Sequence, residues 1–103
     1  MRLVVRPVFL RDVQDCADYL VTDSGEPVAR KWKTSLDKAM ALISKFPEIG
    51  RIRHDLPVPG IRTFFLKDFP RYLIFYRLEG GSIELLRVLH GMMHLPDLFQ
   101  TGQ

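Results

Sequence analysis

The feature that most constrains this chain is a single change of hydrophobic rhythm near Gly50. Before it, large apolar residues recur at helical spacing; after it, they come in short β-branched and aromatic runs punctuated by Gly and Pro. Each kind of element has one apolar face to bury, so helices from the first half must pack against a sheet from the second.

In the helical half, Val13, Cys16, Ala17 and Leu20 share one face of a helix opened by Pro7, and Arg11, Asp12, Gln14, Asp15 and Asp18 fill the other. "TDSGEP" interrupts it, and Ser24, Glu26 and Pro27 supply first-turn chemistry for a second helix. There Ala29, Trp32, Leu36, Ala39 or Met40, Ile43 and Phe46 keep a heptad rhythm that ends at Pro47 and Gly50. Helices joined by so short a turn pack antiparallel. Such an apolar stripe also suits a cofactor or partner groove, but core packing is the simpler use. Upstream, Leu3 to Arg6 is short, β-branched and stopped by Pro7, and reads as a strand.

After Gly50, "IRTFFL" (61–66), "RYLIFYRL" (71–78) and "SIELLRVLH" (82–90) read as strands, with Gly80-Gly81 as a tight hairpin turn. The predicted order is β-α-α-β-β-β. It is an α+β fold: an N-terminal strand and an antiparallel two-helix hairpin packed on a mainly antiparallel sheet, with a short C-terminal helix through Leu95 to Phe99 as an option for the tail. One sheet face stays partly open.

At 103 residues, 47% hydrophobic and 26% charged, the chain has the balance of a single folded domain, expected to span 1–103. The lone Cys16 and the absence of a secretory pattern at Met1 make cytoplasm the expected location. No apolar run approaches the roughly 20 residues that span a bilayer, so no membrane role is expected. One cysteine and scattered histidines give no zinc spacing, and no glycine-rich phosphate loop follows a strand; no metal and no cofactor are expected.

The net charge is +3, unevenly spread. Between Arg51 and Arg77 lie Arg51, Arg53, Arg62, Lys67, Arg71 and Arg77 against only Asp55 and Asp68. The second half is the side for an anionic partner, unless these charges only solvate a sheet face. Strand alternation puts Arg87 with Ile83, Leu85 and Leu89 on one face and His90 with Glu84, Leu86 and Val88 on the other, barring a bulge. Arg62 shares a face with Phe64 and Leu66; Arg71 and Arg77 share one with Leu73 and Phe75. A buried arginine needs a carboxylate, a carbonyl or an external anion, and Glu84 or Asp68 offers an internal one.

The segments "FPEIGR", "PGIRTFFLKDFPRYLIFYRLEGGSIELLRVLHG" and the helix from Pro7 to Tyr19, in this order, resemble the RelE/ParE superfamily of small bacterial toxins. The resemblance implies the toxin of a type II toxin–antitoxin module, neutralised in a hetero-oligomer by a cognate antitoxin and meeting operator DNA only through it. The superfamily divides between ribosome-dependent mRNA endoribonucleases and inhibitors of DNA gyrase. The "LLRVLHG" ending is more similar to the ParE and plasmid-stabilisation branch, which implies gyrase inhibition and growth arrest without a hydrolytic centre, although Met92, Met93 and His94 stand where that branch commonly carries an acid.

On the ribonuclease reading, which would make the chain an enzyme acting on ribosome-bound mRNA, Arg62, Arg87 and His94 are the catalytic candidates, since that chemistry needs an acid, a base and cations for a phosphorane. The binding candidates on either reading are Arg51, Arg53, His54, Arg62, Arg71, Arg77, Arg87 and His90. His90 equally fits a hydrogen-bonded residue at a strand end. A third reading is a non-toxic relative that only binds antitoxin. A fourth is a basic nucleic-acid module whose Phe64, Phe65, Phe75 and Tyr76 stack bases, for which +3 is a weak electrostatic footprint.

Overall fold

The computed structural model describes residues 1–91. His94 and the optional helix through Leu95 to Phe99 lie outside the described residues. The elements are β1 (Arg2–Val5), α1 (Pro7–Ser24), α2 (Glu26–Lys45), β2 (Arg51–Ile52), β3 (Arg62–Leu66), β4 (Phe69–Glu79) and β5 (Ser82–His90). The strands form one mixed sheet in the order β1-β5-β4-β3-β2, an α+β arrangement to which the structure adds the short β2. Among the described residues no helix is long and apolar enough to cross a membrane.

Pro7 opens α1 at a position where its missing N–H costs nothing. The break between the helices is tighter than "TDSGEP" suggests. Gly25 alone separates them, at φ 93°, a conformation that strains any residue with a Cβ. Its N–H donates to the Val21 carbonyl, and its own carbonyl accepts from the Ala29 N–H. Ser24 caps nothing, because it belongs to α1 and its hydroxyl donates to Asp23.

On α2 the apolar stripe buries Ala29, Trp32, Leu36, Ala39 and Ile43 against the sheet. Phe46 falls out of that stripe: the helix ends at Lys45, the Phe46 backbone turns away at φ −129°, and the ring is left half exposed. Trp32 meets Tyr72 edge to face, with ring centroids 5.5 Å apart. Complete burial of one such indole contributes roughly 4–6 kcal/mol gross at about 25 cal/mol per Å². Phe9 and Leu20 of α1, with Ile74, Tyr76, Ile83, Leu85 and Val88 of the sheet, complete this main core.

Gly80 and Gly81, both at positive φ, turn β4 into β5 as the hairpin signal predicts. β1 pairs with β5 in parallel, but only from Ser82 to Leu85. After the Arg6 N–H donates to the Leu85 carbonyl, α1 takes over as the neighbour of the remaining β5 edge. A register shift between Phe75 and Tyr76 leaves Leu86 as an extra residue on β5. The bulge corrects the simple alternation: Ile83 and Leu85 face the helices, yet so does Val88, while Leu89 joins Phe75 on the opposite face. There Leu56 and Ile61, from the segment between β2 and β3, close a second small core over Phe75 and Leu89.

Candidate functional site

Three arginines of the sheet, Arg62, Arg77 and Arg87, prove to be bonded within the chain. Arg87 donates through Nε to Asp12 Oδ2 at 2.7 Å and through Nη2 to Oδ1 at 2.9 Å, a two-pronged pair between β5 and α1. The Val88 N–H also donates to Asp12, at 3.1 Å. Asp12 therefore occupies the sheet edge where β1 has stopped, accepting a backbone N–H that a further strand would otherwise have met. Asp12, a residue only 6% exposed, raises the Arg87 guanidinium above its ordinary value by this hydrogen bonding.

Arg62 is spent on the turn after α2. Its Nη1 donates to the carbonyls of Gly50 at 2.8 Å and Glu48 at 3.2 Å. Tyr76 works on the same turn: its hydroxyl donates to the Pro47 carbonyl and accepts from the Gly50 N–H, both at 2.8 Å. This is why position 50 is glycine, since a Cβ there would lie 2.6 Å from the Tyr76 hydroxyl. Arg77 donates to Glu84 at 2.7 Å, and Arg6 reaches the other oxygen of the same carboxylate at 3.0 Å. Of the two internal partners read from the sequence, Glu84 is thus used by Arg77.

Arg53 grips Asp55 with both oxygens engaged, at 2.8 and 2.6 Å, and this hydrogen bonding pulls the Asp55 carboxyl down to about 2. Arg51 and Arg71 are exposed and form no ion pair with another described residue. His54 is exposed as well. His90 packs edge-on against Tyr72, centroids 5.1 Å apart, at the end of β5.

The candidates consequently divide between two depressions. One, of about 660 Å³, lies at the β2–β3 end of the sheet and brings together Arg51, Arg53 and His54 with Ile49, Ile52 and Phe65. The other, of about 650 Å³, lies between α1 and β5 and collects Arg87 and His90 with Asp12, Cys16 and Tyr19. Arg62, Arg71 and Arg77 line neither. Burial, reinforced by Asp12 and Asp15, pushes the Cys16 thiol up to about 12, so it is an unreactive wall residue. The expected grouping of Arg62 with Arg87 is not formed.

Asp12 is the residue the sequence reading misplaced on the solvent face. A signal was present: Asp12 stands four residues before Cys16 and eight before Leu20, on the very stripe that faces the sheet.

These features define a class: a small α+β domain in which a helical hairpin backs one face of a mixed sheet and the sheet's arginines hold the scaffold together. Residues 3–95 match the family model described as the ParE toxin of the type II toxin–antitoxin system parDE. The chain is 37% identical to Toxin ParE3 of Caulobacter vibrioides over 73 residues, covering 71% of this chain and 69% of that protein. A solved chromosomal ParDE toxin–antitoxin system from P. aeruginosa has the same fold, with a TM-score of 0.74 and 23% identity over 87% of this chain and 95% of that one. The chain belongs to the ParE toxin family of type II toxin–antitoxin systems.

Proposed function

We propose that this ParE-family chain arrests growth by inhibiting DNA gyrase, without a hydrolytic centre of its own, and that a cognate antitoxin neutralises it in the cytoplasm within a hetero-oligomer. The observation that carries this reading is the commitment of Arg62 and Arg87 to partners inside the chain. An endoribonuclease needs cations free to meet the charge that develops on a phosphorane. Arginines already satisfied by a buried carboxylate and by two carbonyls supply little of that, and releasing them would cost the fold. Contact with operator DNA would then run through the antitoxin.

The test is the order in which labelled DNA, RNA and protein synthesis fail after brief induction in a bacterial host, paired with a supercoiling assay on purified gyrase. Early loss of DNA synthesis together with inhibited supercoiling is expected. Early loss of protein synthesis with untouched supercoiling would refute gyrase as the target and return the mRNA reading, with Arg51, Arg53 and His54 as its nearest set of side chains.

A further inference from the structure

We infer that the depression at the β2–β3 end of the sheet binds a short stretch of single-stranded DNA directly, an activity separate from the gyrase reading above and independent of the antitoxin. The platform is Phe65, which lies in the middle of β3 yet is 53% exposed. Its ring stacks on that of Phe64, with centroids 6.0 Å apart and planes 28° from parallel, and Phe64 is in turn half-buried against the main core. The Phe65 ring is thereby braced from behind while much of its surface stays bare. Both rings line the depression, with Ile49, Ile52 and Leu73 around them. Braced aromatic faces of this kind are what bases of any sequence stack on.

Cations bracket the platform. Arg51 of β2 pairs opposite Thr63, and Leu73 of β4 pairs opposite Phe65. Thr63 and Phe65 share a face of β3, as Arg71 and Leu73 share one of β4, so Arg51 stands to one side of Phe65 and Arg71 to the other. At about 3.3 Å per residue these two positions lie roughly 13 Å apart along the strands, far enough to meet separate phosphates with a base on Phe65 between them. Lys67, in the turn at the Arg71 end, adds a third charge. All three side chains are exposed and form no ion pair with another described residue. From Arg51 to Arg71 the acids are Asp55 and Asp68 alone. Asp55, which lines the depression, has both oxygens held by Arg53.

The lining favours DNA over RNA. A ribose laid on Ile49, Ile52, Phe65 and Leu73 would bury its 2′-hydroxyl against side chains that cannot bond it, a cost that deoxyribose avoids. A duplex stacks its bases on one another and offers Phe65 no free face. Because Arg62 and Arg87 are spent inside the chain, the phosphates are held and not cleaved.

The experiment follows the fluorescence anisotropy of a short labelled oligothymidine with the full-length chain over a range of salt. It is repeated with Phe65→Ala, Phe65→Trp, Arg51→Gln and Arg71→Gln, thermal melts verifying that each variant folds. We expect Phe65→Ala to weaken binding by roughly tenfold and Phe65→Trp to stay near wild type. Arg51→Gln and Arg71→Gln should each lower the slope of log affinity against log salt by about 0.7. Oligouridine and a duplex of equal length should bind more weakly. Oligouridine binding as tightly as oligothymidine overturns the choice of DNA. Unchanged binding by folded Phe65→Ala, or unchanged salt slopes in both arginine variants, overturns the site. Failure of the wild-type chain to bind oligothymidine even at low salt overturns the activity and leaves the depression to a protein partner.

Discussion

Replacing Arg87 should damage the fold before it damages any contact with a target. The side chains of Arg87 and Asp12 are 19% and 8% exposed, and Arg87→Ala would leave the Asp12 carboxylate buried with its two-pronged partner gone and the Val88 N–H still attached. Removing one member of a buried ion pair costs about 3–5 kcal/mol, because the survivor cannot recover its hydration. That is a large part of the roughly 5–15 kcal/mol that holds a domain of this kind together. At about 4–8 °C per kcal/mol for a chain near this length, even the lower figure lowers the melting temperature by roughly 12–24 °C.

Asp12→Ala should be the milder change, since the long Arg87 side chain can swing its head into water while only the Val88 N–H loses its acceptor. In the Asp12→Ala/Arg87→Ala double variant neither charge is stranded, so its loss should fall short of the sum of the singles by about 0.5–3 kcal/mol. Thermal and urea denaturation of the four proteins measures all of this. If Arg87→Ala melted within a few degrees of wild type and still lost growth arrest, the scaffold role would be wrong and Arg87 would belong to a target-binding surface.

Arg62→Ala should release the 46–50 turn and destabilise the protein by about 1–3 kcal/mol, with Arg62→Lys recovering only part because its more strongly hydrated ammonium gives up more water to reach the two carbonyls that the single Arg62 Nη1 meets; urea midpoints decide this. Gly50→Ala should cost about 2 kcal/mol or more by forcing the Tyr76 ring aside, and adding Tyr76→Phe should not rescue it in the same assay, because the ring carbons Cε1 and Cζ, 2.7 and 2.9 Å from the new Cβ, remain and the hydroxyl's bonds to the turn are lost. Cys16 should react slowly with iodoacetamide at pH 8 in the native protein and rapidly in urea. Its folded value near 12 lies above the ordinary 9.0, so its contribution to stability is complete below pH 9 and is lost as the pH rises toward 12, which melts across that window would show and Cys16→Ala would blunt. Asp55 should titrate near 2 by NMR, and Arg53→Ala should return it toward 3.8.

The number and kind of elements were largely legible in the chain. Heptad spacing from Ala29 to Ile43, Pro7 at a helix start and Gly80-Gly81 between β-rich runs are local signals, because propensity and burial of one apolar face act over a few residues. The same signals announced strained arginines, since Arg62, Arg77 and Arg87 lie inside apolar strands where a bare charge is intolerable.

Which partner each arginine takes was not legible, and neither was the division of the site. Asp12 and Arg87 are 75 residues apart and meet because β1 stops at Val5 and α1 then fills the β5 edge. The Leu86 bulge, invisible to an alternation count, returns Val88 to the helix side. The Gly50 turn receives Arg62 and Tyr76 from two different strands. Sequence by itself determined that helices would cover a sheet and that its arginines would need counter-groups. Tertiary structure alone decided where those groups come from, because ion pairs and close approaches depend on ångström-scale distances between elements far apart in the chain, and no local pattern encodes such distances.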